Sequence, residues 1–215
     1  MEIQKYIDHT NLKMDATTKD IENLCSEAVE YGFHSVCVHP SYVSLAKELL
    51  EQTNVNICTV IGFPLGMTTP KTKVFEAVEA LENGADEFDM VINVGALKDK
   101  DYNYVKSEIE KVRDVLEGKI LKVIIETSLL DEKEIEKMTE ICNETFTNFI
   151  KTSTGFGQRG ASLKDLEIIN KKKNDILEIK ASGGIKTFKQ LDDFIKAGAT
   201  RIGTSNGVKI IKEVK

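Results

Sequence analysis

The chain has 215 residues and carries 29 Lys and Arg against 35 Asp and Glu, a net charge of −6 at pH 7. That acidic balance, with a pI near 5.3, argues against a nucleic-acid partner, and 41% hydrophobic with 30% charged residues excludes a disordered or fibrous chain. No apolar run approaches the ~18 residues of a membrane span, and Met1-Glu2-Ile3-Gln4-Lys5 lacks the pattern of a secretory leader.

Along the chain, short runs rich in β-branched residues alternate with helical stripes. The runs predict strands over 6–10, 35–39, 57–63, 87–93, 121–127, 149–154, 177–183 and 201–205. Several read as continuous apolar stretches, as expected when both faces of a strand are covered. After the first strand, Ile21, Leu24, Cys25, Ala28 and Val29 recur at helical spacing, followed after the second by Tyr42, Leu45, Ala46, Leu49 and Leu50. Val74, Ala77, Val78 and Leu81 form the third stripe, and Val105, Ile109, Val112 and Leu116 the fourth. Weaker stripes begin at Ile135, Leu163 and Phe188, and 208–214 makes an eighth helix. Gly32, Gly84, Gly118 and Gly198 close four helical patterns. Thr17 or Thr18, Asp131, Ser162 and Thr187 stand where N-caps belong.

Strict alternation requires right-handed crossovers and a parallel sheet. Eight such units predict an α/β fold, a single (β/α)8 TIM barrel spanning 1–215. An open doubly wound sheet would want a glycine-rich fingerprint after its first strand, and Asp8-His9-Thr10-Asn11-Leu12-Lys13 is not one. The cysteines Cys25, Cys37, Cys58 and Cys142 stand singly, without metal spacing, and read as structural thiols of a cytoplasmic protein with no metal.

Three charged residues interrupt the strands: Asp89 in Phe88-Asp89-Met90, Lys151 in Ile150-Lys151-Thr152, and Lys180 in Ile179-Lys180-Ala181. Unpaired buried charge is costly, so three such residues in one barrel point to chemistry. A lysine amine attacks carbonyls only when unprotonated, and a neighbouring cation or partial desolvation favours that state. One lysine can then act as nucleophile and the other as the cation beside it, with Asp89 shuttling protons. The residues alone leave open which lysine is which. Ser182-Gly183-Gly184-Ile185-Lys186 and Gly203-Thr204-Ser205-Asn206-Gly207 follow the seventh and eighth strands, where barrels of this kind commonly bind phosphate. An amine beside such loops suggests a phosphorylated sugar or aldehyde.

These motifs together resemble the deoxyribose-phosphate aldolases, a class I aldolase family. The likeness runs nearly end to end, from Ile7-Asp8-His9-Thr10 through Val36-Cys37-Val38-His39-Pro40 and Gly62-Phe63-Pro64-Leu65-Gly66 to Gly203-Thr204-Ser205. It implies reversible cleavage of 2-deoxy-D-ribose 5-phosphate to D-glyceraldehyde 3-phosphate and acetaldehyde, with no cofactor. By the same likeness Lys151 is the Schiff-base lysine, Lys180 the cation that lowers its pKa, and Asp89 the proton-relay carboxylate. Gly155, Gly183, Gly184, Gly203 and Ser205 would cradle the phosphate, and Asp8 and Cys37 would line the pocket beside Thr10. The partners expected are a phosphosugar and an aldehyde, and a second copy of the chain in a dimer or tetramer.

Arg159 departs from the family pattern in a loop usually small and glycine-rich, and Asn206 replaces a frequent serine. The sequence also ends at Val214-Lys215, short of the tail that some members fold over the site. Two other readings compete: another phosphosugar barrel enzyme, either an isomerase with Glu126 as base or a different class I aldolase, and a silent barrel that binds a sugar phosphate without turnover.

Overall fold

In the computed structural model, which describes residues 2–214, eight strands pair in chain order and the eighth returns to the first. They are β1 (Ile7–Asn11), β2 (Ser35–Val38), β3 (Asn56–Ile61), β4 (Glu87–Val91), β5 (Ile120–Ile124), β6 (Phe149–Lys151), β7 (Glu178–Ser182) and β8 (Arg201–Thr204). Every pairing is parallel. Closure removes the unpaired edges that an open sheet exposes.

The crossovers carry α1 (Thr18–Tyr31), α2 (Val43–Leu50), α3 (Pro70–Glu82), α4 (Val94–Lys98), α5 (Tyr102–Val115), α6 (Glu132–Glu144), α7 (Leu163–Lys172) and α8 (Phe188–Lys196), with α9 (Gly207–Lys212) after β8. Thr17, Asp131, Ser162 and Thr187 each cap a helix, and in each case the residue three positions on reaches back to complete a capping box. Gly32 ends α1 at φ 68°, a left-handed value that glycine adopts without penalty. The five-residue α4 was not expected. Its start is a local event, the Asn93 side chain accepting from Ala96 N–H, too short to leave a stripe.

Helix α2, preceded by a 3-10 turn over Pro40–Tyr42, keeps most of its predicted stripe: Ala46 and Leu50 are buried, Tyr42 and Leu45 pack against the core, Val43 is buried with them, and Leu49 faces solvent. Most predicted strands overrun the ladder toward its C-terminal end. Thr152, Ser153 and Thr154 are buried yet lie beyond β6, where side chains take over the bonding: Thr152 Oγ1 donates to Ser182 O, Ser182 Oγ to Ser153 O, and Thr154 Oγ1 to Glu126 Oε2.

Alternation along each strand divides the interior into two environments. Outward residues such as Val36, Phe88, Val123, Ile150, Ile179 and Ile202 form the main apolar core beneath the helices. Inside the barrel the apolar cluster is small, made of Leu12, Cys37, Cys58 and Val60 with Phe63 against it. The rest of the barrel interior is built largely from charge.

Candidate active site

Register brings the three expected residues together. Lys151 pairs with Lys180 across β6 and β7, and Asp89 pairs with Lys122 across β4 and β5. Neighbours in register project to the same side of the sheet. Asp89 Oδ2 accepts from Lys151 Nζ at 2.7 Å and from Lys180 Nζ at 2.7 Å, while Asp89 Oδ1 accepts from Lys122 Nζ at 2.9 Å.

The contacts continue into a closed ring. Lys180 Nζ lies 2.5 Å from Asp8 Oδ2, and Asp8 Oδ1 accepts from Arg201 Nη1 at 2.8 Å and from Ser35 Oγ at 2.7 Å. Arg201 Nη1 also lies 2.8 Å from Glu87 Oε2, and Lys122 Nζ is 2.6 Å from that same oxygen and back at Asp89. Asp89, Lys180, Asp8, Arg201, Glu87 and Lys122 thus alternate in sign around a ring of three acids and three cations. Lys151 is a fourth cation, bound among the described residues to the ring through Asp89 alone.

Lys122, Glu87 and Arg201 were not among the expected site residues. Lys122 carried the signal that exposed Lys151 and Lys180, a lysine inside an apolar run, Leu121-Lys122-Val123. Glu87 and Arg201 open their strands and look like ordinary polar boundaries in sequence.

Burial alone would neutralise these groups. Desolvation pushes the Asp89 carboxyl up, but Lys122, Lys151 and Lys180 together hold it well below the usual carboxylate range. For Lys180, burial pulls down, and Asp8 with Asp89 more than offset it, so its ammonium is held well above the usual lysine value. Glu87 is brought to about 2 against its burial by Lys122, a hydrogen bond from His34 and Arg201. Asp89 therefore rests as an acceptor and Lys180 as a donor.

A cavity of about 850 Å³ opens above this ring at the C-terminal ends of the strands. Lys151, 3% exposed, lines it, whereas Lys122 and Lys180 have no exposure and do not. Gly155, Gly183, Gly184, Gly203, Ser205 and Thr10 all stand in its wall. At Gly155 (φ 91°) and Gly184 (φ 76°) an added Cβ would meet only open space, so these glycines leave a concave backbone bare to a ligand. Gly203 has a further part, since a Cβ there would come within 3.2 Å of Lys180 Cε.

Two expected pocket residues lie elsewhere. Asp8 is wholly buried under Lys180, and Cys37 packs with Cys58 inside the barrel; neither reaches the cavity wall. The reason is depth: both lie in strand positions below the mouth. Arg159 grips Asp165 at 2.6 and 3.0 Å and Thr127 O at 3.1 Å. Asn206 does line the cavity, its amide donating to Ser205 Oγ at 3.4 Å.

Glu126 holds left-handed backbone, φ 51°, and its Oε2 accepts from Thr154 N at 3.1 Å and Thr154 Oγ1 at 2.5 Å. It pins the loop after Lys151 and does not line the cavity. Beyond Asp89, a buried pair clamps the end of β4. Lys73 Nζ donates to Val91 O at 2.8 Å and meets Glu108 at 2.6 Å, and Glu108 accepts from Asn93 N at 2.6 Å.

The fold also gathers donor atoms of Cys37, Cys58 and Asp89, and of Asp8, Cys58 and Glu87, within 4.8 Å of one another. Their carboxylates are already shared among ammonium and guanidinium groups, so an added cation would meet like charge there.

A cluster of lysine amines under a glycine-walled mouth, in a parallel eight-stranded barrel, defines a barrel enzyme of the aldolase class. A family profile described as DeoC/LacD family aldolase matches residues 3–213. The chain belongs to that family and is an aldolase, a carbon–carbon lyase. It is 51% identical over 212 residues to a deoxyribose-phosphate aldolase of Finegoldia magna, covering 99% of this chain and 100% of the relative. A deoxyribose-phosphate aldolase of Thermococcus kodakarensis is 54% identical over 215 residues, covering 98% and 96%. Among solved structures, the tetrameric deoxyribose phosphate aldolase of Aeropyrum pernix superposes with a TM-score of 0.92 at 32% identity, covering 99% of this chain and 90% of that one.

Proposed function

We propose that this aldolase reversibly cleaves 2-deoxy-D-ribose 5-phosphate to D-glyceraldehyde 3-phosphate and acetaldehyde, through an imine on Lys151. One observation carries the assignment of the nucleophile: of the three lysines clustered at Asp89, Lys151 alone lines the cavity.

In the cleavage direction the Lys151 amine adds to the aldehyde carbon of the open-chain sugar, and water leaves as the iminium forms. Loss of the proton from the hydroxyl two carbons along lets the carbon–carbon bond break toward the iminium. D-Glyceraldehyde 3-phosphate departs and an enamine of acetaldehyde stays on Lys151. Protonation of its terminal carbon and hydrolysis then release acetaldehyde. Asp89 Oδ2, bonded to both amines, is the atom through which a proton passes between Lys151 and Lys180. The glycine wall and Ser205 receive the phosphate, with Lys186 lining the same cavity.

The isomerase reading loses its base, because Glu126 is committed to Thr154 and stands outside the cavity. A silent binder would hold the ligand without turnover. Incubation with acetaldehyde and borohydride, followed by peptide mapping, separates these readings. A single N-ethyl adduct on Lys151 supports the aldolase mechanism, whereas no adduct, or a spread over surface lysines, overturns it.

We further take 1–215 as one catalytic domain, because all eight strands close one sheet. A cytoplasmic setting is supported by the four buried free thiols, and no helix among the described residues is long and apolar enough to cross a membrane. A homo-oligomer is supported by the tetrameric relative and by Leu65, Met67 and Phe75, exposed around the β3–α3 connection; light scattering on the purified chain tests it.

A further inference from the structure

The ring makes the charge of the site countable. Asp8, Glu87 and Asp89 balance Lys122, Lys180 and Arg201, and Lys151 is the one positive charge left over. To attack a carbonyl, Lys151 must shed the proton that constitutes this surplus. The ring is neutral without it.

We propose that Arg201 and Glu87, on the floor of the barrel and outside the cavity, are positioning residues that set the charge balance under which Lys151 reacts. Neither touches Lys151. Arg201 acts by bridging Asp8 and Glu87, each at 2.8 Å, which leaves Lys180 and Lys122 free to serve Asp89 as well. The bridge is fixed from both sides. The Arg201 guanidinium lies over the Phe149 ring at 5.1 Å, and Glu87 Oε1 is held by His34 Nε2 at 2.9 Å.

If Arg201 is removed, three acids face Lys122, Lys180 and Lys151. The ammonium of Lys151 then becomes a required counter-charge, and its unreactive form is favoured. Neutralising Glu87 does the opposite, raising the surplus to two positive charges and favouring the free amine. The other groups around Lys151 are unchanged by either substitution. They are Asp89 in contact with it, Lys180 and Lys122 on that same carboxylate, Cys37 and Cys58 from β2 and β3, and His9, Lys13, Asp15, Asp20, Glu27 and Lys186 in the cavity wall.

This inference rests on Lys151 being the imine-forming amine, and the test separates the two claims. The rate of borohydride-trapped acetaldehyde adduct formation is measured against pH for the wild-type chain, Arg201→Met, Glu87→Gln and the double variant. The rising limb should move to higher pH in Arg201→Met and to lower pH in Glu87→Gln, each by about one pH unit, roughly tenfold in rate at fixed pH. The double variant restores the charge count and should return the limb to its wild-type position. Should Arg201→Met fail to fold, Glu87→Gln and the double variant still decide, because the added arginine change must reverse the Glu87→Gln shift. Wild-type labelling at Lys151 with limbs that stay put, or move the same way, would overturn the role of Arg201 and Glu87 alone. Absence of wild-type labelling would overturn the imine reading beneath it. A purely structural pair would lower rates without opposed shifts.

Discussion

Lys151 and Lys180, paired in register across β6 and β7, place their ammonium nitrogens at the same distance, 2.7 Å, from a single atom, Asp89 Oδ2. Their surroundings otherwise differ. Lys180 has Asp8 as a second carboxylate and no exposure, whereas Lys151 has only Asp89 and an open side toward the cavity. Two chemically identical side chains thus take different parts through their second contacts.

Removing the proposed nucleophile should spare the fold. Lys151→Ala leaves three acids and three cations paired, so turnover and the acetaldehyde adduct are expected to vanish while thermal melting stays near the wild-type value. Activity loss accompanied by a large drop in melting temperature would instead mark Lys151 as structural.

The neighbouring lysine should behave otherwise. Lys180→Leu takes one cation from both Asp8 and Asp89, which keep Arg201 with Ser35 and Lys151 with Lys122, so the loss of stability should stay below the about 3–5 kcal/mol of leaving a buried charge unpaired. It also removes the cation beside Lys151, so imine formation should slow at neutral pH. Single-turnover trapping and a urea titration read the two effects separately. An unchanged trapping rate would exclude Lys180 from the chemistry.

Asp89→Asn keeps the side-chain shape but removes the charge that joins three ammonium groups. It should lower kcat far more than it raises KM, because the glycine wall proposed for the phosphate lies at the mouth and the proposed proton path at the base. A change confined to KM would make Asp89 a binding group.

Acid stability follows from the carboxylates. Asp8, Glu87 and Asp89 are all held below their ordinary values in the folded chain, so their contribution is complete above the unfolded range and is lost as pH falls through the folded one. For Glu87 that window runs from 4.5 down to about 2, and its share is roughly 3 kcal/mol. Denaturant titrations across this window should show stability falling with pH, with a shallower slope in Glu87→Gln.

The glycine wall gives a specificity test. Gly184 holds φ 76° with open space where a Cβ would stand. Gly184→Ala should strain the backbone by about 1–3 kcal/mol and fill the cradle. KM for the 5-phosphate should rise on the order of tenfold or more, with little effect on unphosphorylated deoxyribose. Equal losses on both substrates would place the phosphate elsewhere.

Much of this molecule is written locally. Helix caps such as Thr17 and Ser162, the eight alternations and the lysines inside apolar strands are read from neighbours a few positions apart, because periodicity and capping act over single turns and pleats. The aldolase motifs around Asp89, Lys151 and Lys180 are equally local, and they suffice for the family. What the chain could not show by itself is how charge is shared. Asp8 and Arg201 are separated by 193 positions and meet only because β8 closes on β1. Lys122 enters the site only through its register with Asp89, and Cys37 leaves the pocket wall only because of its depth in the barrel. Barrel closure decided which carboxylate serves which cation, and among the described residues left Lys151 as the one of these cations with a single carboxylate partner. Coulomb energy depends on distance in space, which the tertiary structure alone supplies.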